Sequence, residues 1–434
     1  MHNVLDPRDL VPDEAEQLLS AGYPAANLLD RARAAAAADD PHELAAIEYA
    51  LRDLRRREDW PYDEPSDLSS LGAGAAVTPA GDDVPDRIRG AWLGRAIGNT
   101  MGKPVEGLSH TEVERYLRAA GDWPLSGFVP LVDPLPEGIG SLHPSAAEAS
   151  AGRFDAIPRD DDLDWTILGL HLLETYGAEL STEDIAREWL DRMPFTQTYT
   201  AERVAYRNLV SGLKPPNTAT NRNPYREWIG ALIRMDTYGY VNPGDPTTAA
   251  RMARTDAVLS HTANGIYGAQ WAAALVAQAL VADTAADALR TALSVVPSRS
   301  RMAESQQKLL ALSEAGATAA EALDWIDHKL DYNWVHTLNN AAIISAGLLW
   351  GADDYVRTLG LVVGAGRDTD SNGATAGSVF GALHGSAAIP AELVAPGKGI
   401  VRSAVRGFDR ITIDELVTRT EAVRQDLQSG NPPS

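Results

Sequence analysis

Apolar residues recur at three- and four-residue steps along most of this chain, and stretches alternating with a period of two are scarce, so the pattern predicts helices and few strands. Helical windows fall at 86–102, 163–176, 182–193, 247–260, 265–283, 284–295, 301–314, 318–328, 338–351, 353–364 and 372–385. Clusters of Pro and Gly leave 121–160 and 211–225 irregular. The expected fold is all-α, a compact orthogonal bundle of many helices. Ahead of it, Asp13 is placed to cap a helix through Leu19, alanines favour a second over Ala25–Ala38, and Pro41 suits the start of a third through Arg57. The stretch that follows is rich in Gly, Ser, Pro and Asp and reads as a linker. The chain therefore divides into a small helical extension (1–60), a linker (61–83) and one all-α domain (84–430).

Two helical windows carry glycine at every fourth position: Gly90, Gly94, Gly98 and Gly102, then Gly373, Gly377, Gly381 and Gly385. Each set forms a bare stripe along one helix face. An interior glycine costs roughly 1 kcal/mol relative to alanine, so the offsetting gain must be the close approach of another helix.

Composition narrows the function. With 44% hydrophobic residues in 434, the chain has enough apolar material for a large core. The absence of cysteine removes disulfides, thiolate zinc sites and cysteine nucleophiles, and agrees with a reducing cytoplasm. A formal charge of −22 argues against general nucleic acid binding. The start, Met1-His-Asn-Val-Leu-Asp, lacks the basic and apolar stretches of a signal peptide. Apolar windows such as Trp271–Ala282 are too short to span a bilayer. A cytoplasmic protein without membrane attachment is expected.

Chemistry concentrates in two acidic clusters, Asp160-Asp161-Asp162 and Asp368-Thr369-Asp370-Ser371, each placed before a helical window. One aspartate is enough to cap a helix N-terminus, and a second helps the dipole. Three in a row exceed that need. Hard divalent cations such as Mg²⁺, Mn²⁺ and Ca²⁺ prefer such oxygens. Gly364-Ala365-Gly366 ahead of the second cluster is a flexible turn that can expose side chains and backbone at a helix entrance. An EF-hand is excluded, because its twelfth position would need Glu and residue 379 is Val. A dinuclear site drawing on both clusters is the more natural reading.

The string from Arg89 to Glu106 (Arg-Gly-Ala-Trp-Leu-Gly-Arg-Ala-Ile-Gly-Asn-Thr-Met-Gly-Lys-Pro-Val-Glu) resembles the opening helix of the ADP-ribosylglycohydrolase family, Gly-x-x-x-Gly-x-x-x-Gly-Asp-x-x-Gly-x-Pro-x-Glu. Asp161-Asp162 resemble the pair in its Thr-Asp-Asp-Thr motif, and Gly366–Asn372 its C-terminal Gly-Gly-Asp-Thr-Asp-Thr-Asn motif. Gly230–Arg234 and Leu259–Thr262 are similar to two intermediate motifs, in the expected order. The resemblance covers about residues 84–390 and implies an all-α domain with two Mg²⁺ ions (or Mn²⁺) in a central cleft, hydrolysing an N- or O-glycosidic bond of ADP-ribose. By position it makes Asp161, Asp162, Asp368 and Asp370 metal ligands, with Asp160 and Ser371 standing where the family has ligand threonines. Asn99 replaces the Asp of the first motif, Leu163 and Asp164 a Thr-Gln pair, Arg367 a Gly, and Ile229 an Asn. These departures mark a divergent member and bear on the substrate more than on the metal site.

Cleavage at C1′ of a ribose develops positive charge on the sugar and needs a delivered water. Asp162 is the first candidate for the general base and Asp161 the second. Glu106 is a cleft carboxylate or a gate over the metals, or else a solvated loop residue. His261 is a contact to a phosphate or ribose, or a structural histidine; Arg367 is a pairing cation or a phosphate contact. Gly230 and Gly366 belong with them on the substrate side. The substrate is then an ADP-ribosylated protein, a nucleoside or a small molecule. Two other readings stand: a hydrolase of small nucleoside N-ribosides, and a catalytically weak ADP-ribose-binding or crystallin-like structural protein.

Overall fold

In the computed structural model, which describes residues 6–67 and 70–429, the two glycine-striped segments form the helices Val84–Gly102 and Thr369–His384 and lie antiparallel against each other. Gly94 abuts the Gly377 backbone, Gly98 meets Gly373, and Gly90 meets Gly381. A Cβ at Gly94 or Gly377 would overlap the opposite backbone carbonyl, so no larger residue fits without moving a helix. The expected reason for the stripes is the observed one. Because the pair is antiparallel, the end of the first helix meets the start of the second, where the Thr369 hydroxyl donates to the Gly102 carbonyl at 2.7 Å. Residues some 270 positions apart thereby share one place.

The surrounding body is helical, including Asp161–Tyr176, Pro246–Ala257, Ala263–Ala279, Arg301–Glu314, Thr337–Trp350 and Tyr355–Gly364, close to the sequence windows. Ala263–Ala279 and most of Thr337–Trp350 are buried all round, which is why their hydrophobic pattern shows no polar face. The sequence pattern missed His110–Ala120, Thr200–Val210 and Ile413–Ser429. His110–Ala120 carries its own boundary signals, a Ser109–Glu112 capping box and Gly121 in the left-handed conformation at its end. The described β-structure is one antiparallel pair of two-residue strands, Ile400–Val401 with Ile411–Thr412.

The first helix runs Pro7–Ser20 and is capped by Asp6, whose carboxylate accepts from Arg8 N at 2.9 Å; Asp13, the expected cap, lies inside it. Pro7 at the first position is preset for the helical turn. The next two are Ala26–Ala37 and Pro41–Arg52, and the three share a small core of their own around Ala15, Ala32 and Ile47. They dock through Arg226 to Glu14 (2.6 Å), Tyr225 to Asp13 (2.9 Å) and Gln17 to Glu227 (2.7 Å). The connecting stretch lies along the main body: Gly72 N donates to Val295 O at 3.0 Å and Thr78 N to Gly244 O at 2.8 Å. The expectation for residues 1–5 lies outside the described residues. No described helix is long and apolar enough to cross a membrane.

Candidate metal centre and active site

The two acidic clusters meet at the junction of the glycine helices. Asp160 caps Asp161–Tyr176, its Oδ1 accepting from Asp162 N at 3.0 Å, while its Oδ2 faces Lys103 Nζ at 2.7 Å. Capping and charge clustering, posed as alternatives by the sequence, are both true of this residue. Asp162 Oδ2 accepts from Asn99 Nδ2 at 2.9 Å, and its buried Oδ1 has no partner. Arg95, fully buried and paired with Asp236 at 2.8 Å, donates to the Asp162 carbonyl at 2.7 Å and to the Ile233 carbonyl. It pins the head of that helix to the 229–234 turn.

Asp370 Oδ2 lies 2.6 Å from Lys103 Nζ, and its Oδ1 accepts from Ser371 N at 2.9 Å. Glu106 Oε2 completes the lysine's surroundings at 2.9 Å, with His143 Nε2 at 3.4 Å from the same oxygen. Two groups of acids can each converge on one point, Glu106 with Asp368 and Asp370, and Asp160 with Asp162 and Asp370. Asp370 belongs to both. Glu106, Asp161, Asp368 and Asp370 line one cavity of about 360 Å³, which Asp160 meets through Lys103 and whose walls include Tyr199, Thr200, Glu202, Ile229, Gly230, Ile233, Trp334, Val335 and Ser371.

Electrostatics marks the cavity floor as short of positive charge. Burial pushes the carboxyls of Asp162, Asp368 and Glu106 well above the usual range, and Asp160 or Asp370 beside them adds to the effect. Burial and Asp160 push Asp161 up to about 8. Burial would raise Asp160 too, but the Lys103 ammonium, helped by Arg159 and the Asp162 N–H, holds it below its usual range. Arg159, whose charge also reaches Asp160 and Asp161, is engaged by Asp164 at 2.6 Å and by the Gln197 carbonyl. Buried carboxylates left without donors or cations carry a large desolvation penalty. The donor set is all oxygen, one buried oxygen is orphaned, and the charge is in deficit. The residues present fit a hard divalent cation.

The ADP-ribosylglycohydrolase family profile matches residues 80–426, most of the chain. The chain belongs to the ADP-ribosylglycohydrolase family. A search of curated proteins finds no match to it. A solved structure described as an "ADP-ribosylglycohydrolase-related protein complex" is similar at 20% identity and a TM-score of 0.42, covering 80% of this chain and 99% of that one. The family is all-α and metal-dependent and acts on ADP-ribosyl linkages.

As a member of that family, the chain brings Asp160, Asp161, Asp162, Asp368, Asp370, Ser371 and Glu106 together around the cavity, and Gly230 lines its wall. A Cβ on Gly230 would overlap the Glu202 carboxylate, so this glycine lets an acid approach the wall. Glu202 is tied to Arg234 at 2.5 Å, and Arg234 in turn to Asp256 at 2.6 Å and Ser260 at 2.8 Å. His261 sits behind this network and is buried away from the cavity, its Nδ1 2.8 Å from Ser260 Oγ. Burial and the nearby Arg234 hold it neutral, well below its usual pKa. The placement is that of a structural histidine, since the Ala263–Ala279 helix begins directly behind it.

Arg367 likewise points elsewhere. It adopts φ 68°, pairs with Asp327 at 2.8 Å, and lines an adjoining groove with His110 and Trp334. Of the two roles open to it, pairing cation is the one its contacts show. Gly366, at φ 73°, brings its backbone against Leu108–His110 and lies outside the cavity lining. Sequence reasoning passed over Lys103, His143, Glu202 and Trp334. Lys103 stood in plain view inside the Gly-Lys-Pro-Val-Glu string, at a position the motif leaves open. The others sit in irregular or unassigned stretches with no spacing to flag them.

Proposed function

We propose that the protein is a glycohydrolase that cleaves the C1′ glycosidic bond of an ADP-ribosyl group in a cleft built for two Mg²⁺ or Mn²⁺ ions. The observation that carries this is the pair of acid groups sharing Asp370 beside a cavity of about 360 Å³. Asp160, Asp162 and Asp370 would hold one ion, Glu106, Asp368 and Asp370 the other, with Asp161 and Ser371 at their edge. Such ions supply charge neutralisation and Lewis-acid polarisation of ribose hydroxyls. The chain's own residues do the rest. Asp162 offers Oδ1 as the acceptor for a proton from water, and its position is fixed by Asn99 at Oδ2 and Arg95 at its carbonyl. Asp161 is the second candidate. Glu106, which lines the cavity with His143 Nε2 3.4 Å from its Oε2, would gate entry to the metals. Tyr199 and Trp334 offer ring faces for a base, and Ile229 and Ile233 exclude water around the sugar.

The substrate class is ADP-ribosylated protein, nucleoside or small molecule. The protein acts in the cytoplasm, with residues 1–60 and 61–83 as an extension and connector to the catalytic domain, 84–430. The test is incubation with ADP-ribosyl-arginine, ADP-ribosyl-serine, ADP-ribosyl-nucleosides and plain nucleosides, with and without Mg²⁺, reading released ribosyl product. Metal-dependent release from an ADP-ribosyl compound is expected. Release from plain nucleosides alone would move the assignment to a nucleoside hydrolase. No release, together with no calorimetric binding of ADP-ribose, would remove the enzymatic reading.

A further inference from the structure

Lys103 is tethered in a rigid turn. It follows the last residue of the Val84–Gly102 helix and opens the short 3₁₀ turn Lys103–Val105, with Pro104 and Val105 buried behind it. Its ammonium has three N–H donors, and three carboxylate oxygens meet it: Asp370 at 2.6 Å, Asp160 at 2.7 Å and Glu106 at 2.9 Å. These acids come from three separate segments. They also include Asp370, the residue common to both candidate cation positions, and one further member of each. An ion entering either position must share two carboxylates with the ammonium.

We propose that Lys103 is a built-in cation of this cleft: it assembles the carboxylates before any metal arrives and competes with the second divalent ion for Asp370, Asp160 and Glu106. This rests on reading the cleft as a divalent-cation site. The first ion binds while Lys103 stays in contact, and the second binds only as Lys103 swings into the open cavity. The protein therefore folds with a formed site when metal-free, and its occupancy depends on cation concentration.

The test is calorimetric titration of Mn²⁺ into the full chain, with Mn²⁺ content counted after dialysis, for wild type, Lys103→Met and Lys103→Arg, each checked by circular dichroism. Removing a contacting charge is expected to tighten the second ion by roughly tenfold or more, the effect of about 1.4 kcal/mol. Lys103→Arg, which keeps the charge, should leave that ion weak or absent. Equal affinities and stoichiometries in wild type and a folded Lys103→Met overturn the inference and leave the cation site standing. Absence of Mn²⁺ binding in both overturns the two together. Should Lys103→Met not fold, amine acylation of the wild type read by mass spectrometry decides. Labelling of Lys103 should rise several-fold with saturating Mn²⁺, because the ammonium leaves its carboxylates; unchanged labelling overturns the inference.

Discussion

Two buried acidic clusters in this protein have opposite characters. Behind the cleft, Glu64 and Glu227 share Arg301, at 2.9 and 2.8 Å, and amides complete the set: Gln17 donates to Glu227 at 2.7 Å, and Asn264 to both acids at 2.8 Å. Every carboxylate oxygen there accepts a hydrogen bond. In the cleft, Glu106, Asp160 and Asp370 share one ammonium, and Asp162 Oδ1 accepts nothing. Burying acids is tolerable where donors match them. Where donors fall short, the site suits a bound cation. The satisfied cluster fastens the N-terminal helices and the 227–230 segment to the body. The unsatisfied one is where chemistry is expected.

The comparison can be broken by removing one member from each cluster. Asp162→Asn keeps the shape and the bond to Asn99 but loses the base, so kcat should fall by roughly 10²- to 10⁴-fold with the melting temperature nearly unchanged. Arg301→Met should do the reverse. It strands two buried carboxylates and should cost about 3–5 kcal/mol of stability, read by denaturant unfolding. If Asp162→Asn proved as damaging to stability as Arg301→Met, the distinction between the clusters would be lost.

A smaller effect sharpens how the cleft is built. Gly94→Val forces a side chain against the Gly377 backbone and should cost about 1–3 kcal/mol while weakening divalent binding, because the ends carrying Lys103 and Asp370 must shift. Preserved metal affinity in that variant would show that helix contact does not set the site.

The smallest concerns pH. His261 and His336 are buried and held neutral, with pKa values well below 6.5, chiefly by burial and then by Arg234 and Arg301 respectively. Their pKa is lower in the folded state, so stability is complete above about pH 6.5 and falls as pH drops below it. The slope approaches about 1.4 kcal/mol per pH unit for each histidine. The raised cleft carboxylates act in the opposite direction, so the histidine share is read as a difference between variants: in thermal melts from pH 7.5 to 5.5, His261→Gln should lose less stability than wild type, by roughly half of the two-histidine slope.

Much of this was legible in the sequence wherever a physical demand left a periodic or concentrated trace. The glycine stripes demanded close helix contact, and they set the meeting of the two acidic clusters. The aspartates exceeded any capping requirement, and the excess faces the cavity. His261 and Arg367 were each left with two roles for a shared reason: motif order places a residue in the chain but does not say which way its side chain points. His261 turns toward Ser260 and Arg367 toward Asp327. Lys103 was hidden differently. A lone lysine near a glutamate in a loop reads as solvated, and only the antiparallel helix junction brings Asp160 and Asp370 onto it.

The most direct test of the central claim is a thermal melt of metal-free protein, before and after adding Mg²⁺ or Mn²⁺, in wild type and Asp368→Asn. Asp368 is buried with its carboxyl pushed up by burial and by Asp370, so neutralising it should leave the metal-free protein as stable or more so. Wild type should gain about 2.7 kcal/mol when the cation is at a hundredfold its dissociation constant, and Asp368→Asn should gain far less. A wild type that does not respond to either ion, or an Asp368→Asn that responds equally, would contradict the assignment of this cleft as a cation-dependent active site.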